Sequence, residues 1–304
     1  MRKNATALLR AAAAVAMLLL TTSAALAQPT EAAQAEMRAA VQAANQAALL
    51  GPADVKLIDQ AVLKLPEGLV YIPPREAGRL LTAMGNRVGE GVLGMVVSPA
   101  PEANWFVVMR FYKSGYIKDD DAKEWKVDEL LDGLKAGTEQ GNQERRSRGI
   151  PEIEVVGWVQ APQYDAMSHR LVWSLASREK GGAAGADRGV NYNTYALGRD
   201  GYISMNLVTD LVKIDAERPV AHRLLAALAY NDGKRYADFN SATDHVAEFG
   251  LAALVGGIAA KKLGLFALIA AFAAKFAKVI GVAVLALGAA VTKLLRRKQQ
   301  PPVA

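Results

Sequence analysis

Tyr192–Val208 reads YNTYALGRDGYISMNLV, and the rest of the fold can be read outward from it. Two strand-like runs, Tyr192–Leu197 and Tyr202–Val208, flank Gly198-Arg199-Asp200-Gly201. Asp-Gly between two strand-like runs signals a hairpin, because glycine reaches the positive φ angles that tight strand connections need. An antiparallel pair is therefore predicted here.

Further runs of this kind lie on either side. Val55–Ile58, Gly68–Ile72, Val92–Val97, Trp105–Tyr112, Ile153–Val159, Arg170–Ala176 and Leu211–Ile214 are short and rich in Val, Ile, Tyr and Trp, the residues that suit a pleated surface. Trp105, Trp158 and Trp173 fall in these strands, where packing in a core is the expected role. Helical patterns separate some of them. Pro74–Gly85 opens on proline, which the first helical turn tolerates. Asp128–Arg146 carries Leu130, Leu131 and Leu134, and Arg218–Tyr230 carries Leu224, Leu225 and Leu228, at helical spacing. Strands joined by hairpins, with few regular βαβ units, predict an α+β fold. It would have a largely antiparallel sheet, a few packing helices and C-terminal membrane helices. Gly181–Gly189 reads as a loop.

The ends of the chain differ from the middle. Residues 1–27 hold Arg2, Lys3 and Arg10, then the apolar run AAAAVAMLLL at 11–20, then Ala25-Leu26-Ala27. This is the layout of a secretory signal peptide, with cleavage expected before Gln28. An uncleaved anchor would leave the rest of the chain on the same side of the membrane. Residues 28–50, rich in Ala and Gln, suit a helix or spacer and have few large apolar residues for a core. Residues 51–247 are expected to form the exported domain. At the other end, 276–295 (FAKVIGVAVLALGAAVTKLL) has the length of a membrane span, and Arg296-Arg297-Lys298 favours a cytoplasmic tail, 296–304. Residues 248–275 are apolar but hold Lys261-Lys262, which suits an interfacial or re-entrant helix; a two-span hairpin is the alternative. The expected location is the cell inner membrane, single-pass, with the main domain in the periplasm.

Charge follows the same division. All 30 acids fall in 28–248, against 25 basic residues, so the middle of the chain is net acidic although the whole chain is +6. The basic excess belongs to the targeting and membrane segments, which argues against a nucleic-acid footprint. The absence of cysteine removes disulfides, thiol catalysis and thiolate metal sites.

Several local patterns invite a chemical reading. Gly89-Glu90-Gly91-Val92-Leu93-Gly94 has the GxGxxG spacing, but a helix precedes it and a strand follows, the reverse of a dinucleotide site. Ser177-Arg178-Glu179-Lys180 matches SxxK at a strand end rather than a helix start, without the partner elements of penicillin-interacting enzymes. Asp119-Asp120-Asp121 lacks the alternation of a calcium loop and suits a helix N-cap or a solvated loop. His169, His222 and His245 lie far apart, with no metal-ligand spacing. No cofactor and no metal ligand is expected, and no catalytic residue is identified.

A set of stretches resembles the DUF2167 family of uncharacterised bacterial membrane-anchored proteins. They are Leu65-Pro66-Glu67-Gly68, Tyr71-Ile72-Pro73, Gly115-Tyr116-Ile117-Lys118-Asp119-Asp120, Gly157-Trp158, Pro162-Gln163-Tyr164-Asp165, Leu171-Val172-Trp173-Ser174, Asn191-Tyr192-Asn193-Thr194, Leu197–Tyr202 and Ala260-Lys261-Lys262-Leu263-Gly264. The resemblance spans about residues 50–298 and implies a membrane-anchored protein; it brings no catalytic residues. The expected function is a non-enzymatic, partner-binding or structural domain, with inner-membrane lipids and an envelope protein as partners. The alternative is a tethered hydrolase acting on cell-wall or lipid material, drawing on Asp119–Asp121 or Tyr164–His169.

Overall fold

The hairpin forms with a long, regular register. In the computed structural model, β9 (Gly189–Leu197) and β10 (Tyr202–Asp210) pair antiparallel from Tyr202↔Leu197 to Asp210↔Gly189. The structure describes residues 31–256 except 87, 101, 102, 148 and 183–187. Earlier in the chain lie α1 (Glu31–Ala47), β1 (Leu49–Leu50), β2 (Ala53–Leu57), β3 (Ala61–Leu65), β4 (Val70–Ile72), α2 (Pro74–Ala83), β5 (Val92–Val97) and β6 (Phe106–Tyr112). Then come α3 (Val127–Ser147), β7 (Ile153–Asp165) and β8 (Arg170–Glu179), and after the hairpin α4 (Ile214–Ala227) and β11 (Leu228–Tyr230). Eight strands make one sheet in the order β1-β4-β5-β6-β10-β9-β8-β7, and every pair in it is antiparallel. A second sheet has the order β11-β3-β2. This is an α+β fold with a large antiparallel sheet.

Strand alternation divides the main core. On one face Val107, Met109, Tyr192, Ile203, Met205 and Leu207 are almost fully buried. They pack with Leu224 and Leu225 of α4 and with Val55, Leu57, Leu63 and Leu65 of the small sheet. Each such side chain contributes roughly 1.5–3 kcal/mol by leaving water. Tyr230 ties the two sheets together: its hydroxyl donates to the Ala196 carbonyl at 2.8 Å and accepts the Ile203 N–H at 3.1 Å.

Among the described residues the other face is covered only at its two ends. Over β4 and β5, Leu80 and Leu81 of α2 and Ala40 and Ala44 of α1 bury Val70, Ile72, Met95 and Val97. Over β8, Leu130 of α3, Ile117, Tyr236, Leu251 and Leu254 bury Leu171, Trp173 and Leu175. The Ala/Gln-rich segment is thus a packed helix over Glu31–Ala47. Alanine is small enough to let α1 approach α2, and Arg79 of α2 grips Glu36 of α1 through two hydrogen bonds of 2.7 and 3.0 Å. At the far end, Leu251, Leu254 and Val255 are buried, so the first residues of 248–275 pack as part of this domain. Among the described residues no helix is long and apolar enough to cross a membrane. The signal peptide (1–27), the span (276–295) and the tail (296–304) lie outside the described residues.

Three expectations change. Leu211–Ile214 is not a strand: the Lys213 N–H closes a turn onto Asp210 O at 3.0 Å, Val212 is 92% exposed, and Ile214 opens α4. The helix expected at Arg218–Tyr230 therefore starts earlier, with Asp215 and Glu217 in its first turn, where acids suit the helix dipole. It also ends earlier, because Leu228, Ala229 and Tyr230 pair with Leu63, Val62 and Ala61 of β3. The strand β3 was not anticipated. Its tip residue Ile58 takes φ 51°, in the left-handed region that costs a β-branched side chain about 1–2 kcal/mol.

Ile58 is 55% exposed, so its side chain contributes little packing to set against that strain. Ile58→Asn is expected to raise stability by about 1 kcal/mol, read from the urea midpoint at unchanged slope. Glu217 gives a pH-dependent counterpart. It is 9% exposed, and burial raises its pKa above the ordinary carboxyl value although the Thr209 hydroxyl donates to it. With a raised folded pKa, its favourable contribution is complete below the unfolded value and is lost as pH rises through the folded one. Glu217→Gln should therefore gain stability relative to the parent as pH rises above the ordinary carboxyl range, in paired thermal melts.

Candidate functional site

Between the two covered ends of the second face, the central strands β6, β10 and β9 carry polar side chains where an apolar row would complete the core. Ser204 and Asn206 alternate with the buried Ile203, Met205 and Leu207 along β10, and Asn191 and Asn193 do the same along β9. Register sets Asn206 directly opposite Asn193, and Ser204 opposite both Arg110 and Tyr195. The result is a groove of about 430 Å³.

Its floor is held by hydrogen bonds among the amides. Asn206 Nδ2 donates to Asn191 Oδ1 at 3.1 Å, and Asn193 Nδ2 donates to the Asn191 carbonyl at 3.3 Å. Asn206 Oδ1 is buried and accepts no hydrogen bond among the described residues. One end is aromatic: Tyr112 and Tyr202 stack with centroids 4.8 Å apart and planes 14° from parallel, and Tyr195 meets Tyr202 edge-on at 5.5 Å. Burial pushes the Tyr195 and Tyr202 phenols well above their ordinary value, so both remain protonated donors at neutral pH. The other end is apolar, with Leu81, Phe106 and Val108. Among the described residues Arg110 is the one charged side chain in the lining, and no carboxylate or histidine lines the groove.

The loops singled out for a hydrolase do come together, at the edge of the same sheet. The Tyr164 hydroxyl donates to Asp119 Oδ2 at 2.7 Å and lies 3.1 Å from His169 Nδ1. A phenol has one proton, already given to Asp119, so Nδ1 must carry its own and donate to Tyr164. Burial, and then Asp119, push the Tyr164 phenol far up. Tyr236 stacks on the His169 ring at 4.0 Å, Tyr116 on Tyr236 at 4.4 Å, and Phe239 on Tyr116 at 3.8 Å. The group is a packed brace: it pins the β7–β8 turn, where His169 has φ 52°, against the segment entering α3.

Comparison with known proteins decides the family. The profile of the family described as "Protein of unknown function (DUF2167)" matches residues 50–288. The chain belongs to this family. No curated protein matches it. Among solved structures, cyanobacterial PsbP (CyanoP) from Synechocystis sp. PCC 6803 is similar at 12% identity and a TM-score of 0.33. The match covers 57% of this chain and 88% of that one, and at that score it carries no argument.

The remaining patterns take structural places in this DUF2167 domain. Gly89–Gly94 leads into β5, where Gly94 forms a bulge with φ 132°; a Cβ there would lie 2.4 Å from the Tyr71 ring. Ser177–Lys180 ends β8, where Arg178 pairs with Glu154 and Lys180 with Glu139. Asp121 does not cap its own turn. Its two carboxylate oxygens accept the N–H groups of Leu251 and Ala252, each at 3.0 Å, and so fix the C-terminal end of the domain. His222 bonds Tyr192 at 2.8 Å beside a second cavity, and His245 abuts Gly115. Among the described residues no three His, Asp or Glu side chains gather as a metal site. The groove was missed because its amides read individually as ordinary strand residues; their period-two placement at Asn191, Asn193, Ser204 and Asn206 was the available signal.

Tyr164→Phe deletes the hydroxyl between Asp119 and His169 and leaves both without their shared partner. The expected cost is about 1–2 kcal/mol. Hydrogen exchange should quicken at the Met167 and Leu197 amides, which bond to Asp165 and His169 in the same turn.

Proposed function

We propose that this chain is a membrane-tethered envelope protein whose folded domain, outside the cytoplasm, binds a partner in the groove over β6, β10 and β9 without catalysing its conversion. The observation that carries this reading is the lining itself. Amides, a serine, phenols held protonated and one arginine supply hydrogen bonds and orientation. They supply no group that exchanges a proton near neutral pH. The tether rests on sequence: the signal-peptide pattern of 1–27 and the apolar, lysine-flanked stretch 276–295. Lys261, Lys262, Lys275 and Lys278 would lie against anionic lipid headgroups.

The hydrolase alternative has the converged Asp119, Tyr164 and His169 in its favour. Against it, one face of the His169 ring is covered by Tyr236, and its Nδ1 is engaged with Tyr164. Among the described residues no serine or threonine hydroxyl bonds to His169. The geometry serves the fold better than it serves chemistry.

The absence of cysteine makes the test direct. Single cysteines at Asn86, an exposed residue on the groove rim, and at exposed Ser241 would be labelled with a membrane-impermeant thiol reagent, in intact cells and in purified protein. Ser241→Cys should label equally in both. Asn86→Cys should be protected several-fold in cells, because the groove is filled there. Equal labelling of Asn86→Cys in cells and in purified protein would show an empty groove and overturn the reading. Labelling of both sites only after lysis would place the domain in the cytoplasm.

A further inference from the structure

Resting on the reading of the groove as the binding face, we infer its ligand class: a short N-acetylated glycan carrying a carboxylate. Four features of the lining converge on this chemistry.

The first is the amide floor. Among the described residues Asn206 Oδ1 is a buried acceptor without a donor, and the Ser204 hydroxyl lines the groove two residues before it. An unmatched buried acceptor costs about 1–3 kcal/mol until a donor arrives. Asparagine presents a donor and an acceptor side by side, which is how adjacent sugar hydroxyls are matched. The floor is also a sheet face rather than an edge. The backbone N–H and C=O groups of β6, β10 and β9 are committed to their ladders, so an extended peptide finds no strand to pair with.

The second is the tyrosine platform. Tyr112 is 41% exposed and rests on Tyr202, so a flat aromatic face is presented on a rigid base. The C–H face of a pyranose ring stacks on such a surface. The third is the apolar end, where Phe106 and Val108 offer a place for an acetamido methyl group.

The fourth is Arg110. Among the described residues it is the one charged group in the lining, and it forms no ion pair there. A guanidinium with no carboxylate beside it is arranged for a planar anion, which it engages through two parallel N–H donors. One cation matches one carboxylate; a polyanion would call for several. The volume of about 430 Å³ limits the bound segment to a short oligosaccharide.

Calorimetry on the full chain in lipid nanodiscs tests this with two probes. One is the disaccharide of N-acetylglucosamine and N-acetylmuramic acid, which has a free carboxylate; the other is neutral diacetylchitobiose. The acidic disaccharide should bind about tenfold more tightly, the share of one charge-assisted contact. Arg110→Gln should erase that tenfold difference, weakening the acidic disaccharide about tenfold more than the neutral one. Tyr112→Ala, at an exposed position, should weaken both sugars about equally. Equal affinity for the two probes in the parent protein, insensitive to Arg110→Gln, would overturn the carboxylate assignment. If neither sugar binds while Asn86→Cys is still protected in cells, the glycan assignment falls, a protein partner takes its place, and the partner-binding reading stands. If neither sugar binds and protection is also absent, both fall.

Discussion

Side-chain alternation along β9 and β10 is the constraint from which the remaining architecture follows. A strand has no choice about which residues share a face, so Ile203, Met205 and Leu207 face one way only if Ser204 and Asn206 face the other. A slip of β10 by one residue would push Ser204 and Asn206 into the main core and Ile203, Met205 and Leu207 out of it, so the register is strongly specified. The apolar side draws α4 and the small sheet onto itself. The polar side repels a cover over the central strands, and the helices that would otherwise close the second layer settle at its two ends. The groove is what remains between them.

Because cover is split, each end needs its own fastening. At the β4–β5 end the Arg79–Glu36 pair holds α1 to α2, but it is exposed, and such pairs contribute about 0.2–1 kcal/mol; buried Ala40 and Ala44 do more by permitting close contact. At the β8 end the fastening is a short turn. Asp119 holds the β7–β8 connection through Tyr164, while Asp121, two residues on, caps the backbone at Leu251 and Ala252. Arg199 adds a two-point bond to Asp244, at 2.6 and 2.7 Å, that holds the segment between them; the guanidinium keeps the Asp244 carboxyl well below the usual range. One aspartate-rich turn thus links the sheet edge to the part of the domain that leads toward residue 257 and beyond.

These relations explain which parts of the structure were legible in the sequence. The hairpin was, because Asp200-Gly201 marks the turn between two strand-like runs. The α+β class followed from hairpin-linked strands. Leu211–Ile214 misled because Leu, Val and Ile resemble a strand whether or not pairing continues; the Leu211 N–H bonds the Arg188 carbonyl at 2.8 Å, and the chain then turns away at Asp210–Lys213, so the acids Asp215 and Glu217 were the better guide. Leu228–Tyr230 is the converse case, three residues with helical spacing behind them that were captured by β3, a tertiary effect no local pattern carries. The alanines of α1 looked too small for a core, yet small size is what close helix contact requires. The Asp119–Tyr164–His169 contact joins residues 45 and 5 positions apart, and only the folded sheet edge sets that distance.

The groove also has an energetic reading. Three asparagines and a serine at the centre of an eight-stranded sheet occupy positions where Val or Ile would each contribute roughly 1.5–3 kcal/mol of burial under a continuous helical layer. Asn206 Oδ1, buried and unmatched, adds a further cost. The fold tolerates both because its stability comes from the opposite face, where Leu57, Leu63, Met109, Met205 and Leu207 are almost fully buried. The two faces have separate tasks: one supplies cohesion, and the other keeps a preorganised set of donors and acceptors whose bonding is incomplete in the protein alone. Rigidity on the first face is what lets the second hold its amides in place, so a partner of the kind proposed would meet little further ordering cost on satisfying them.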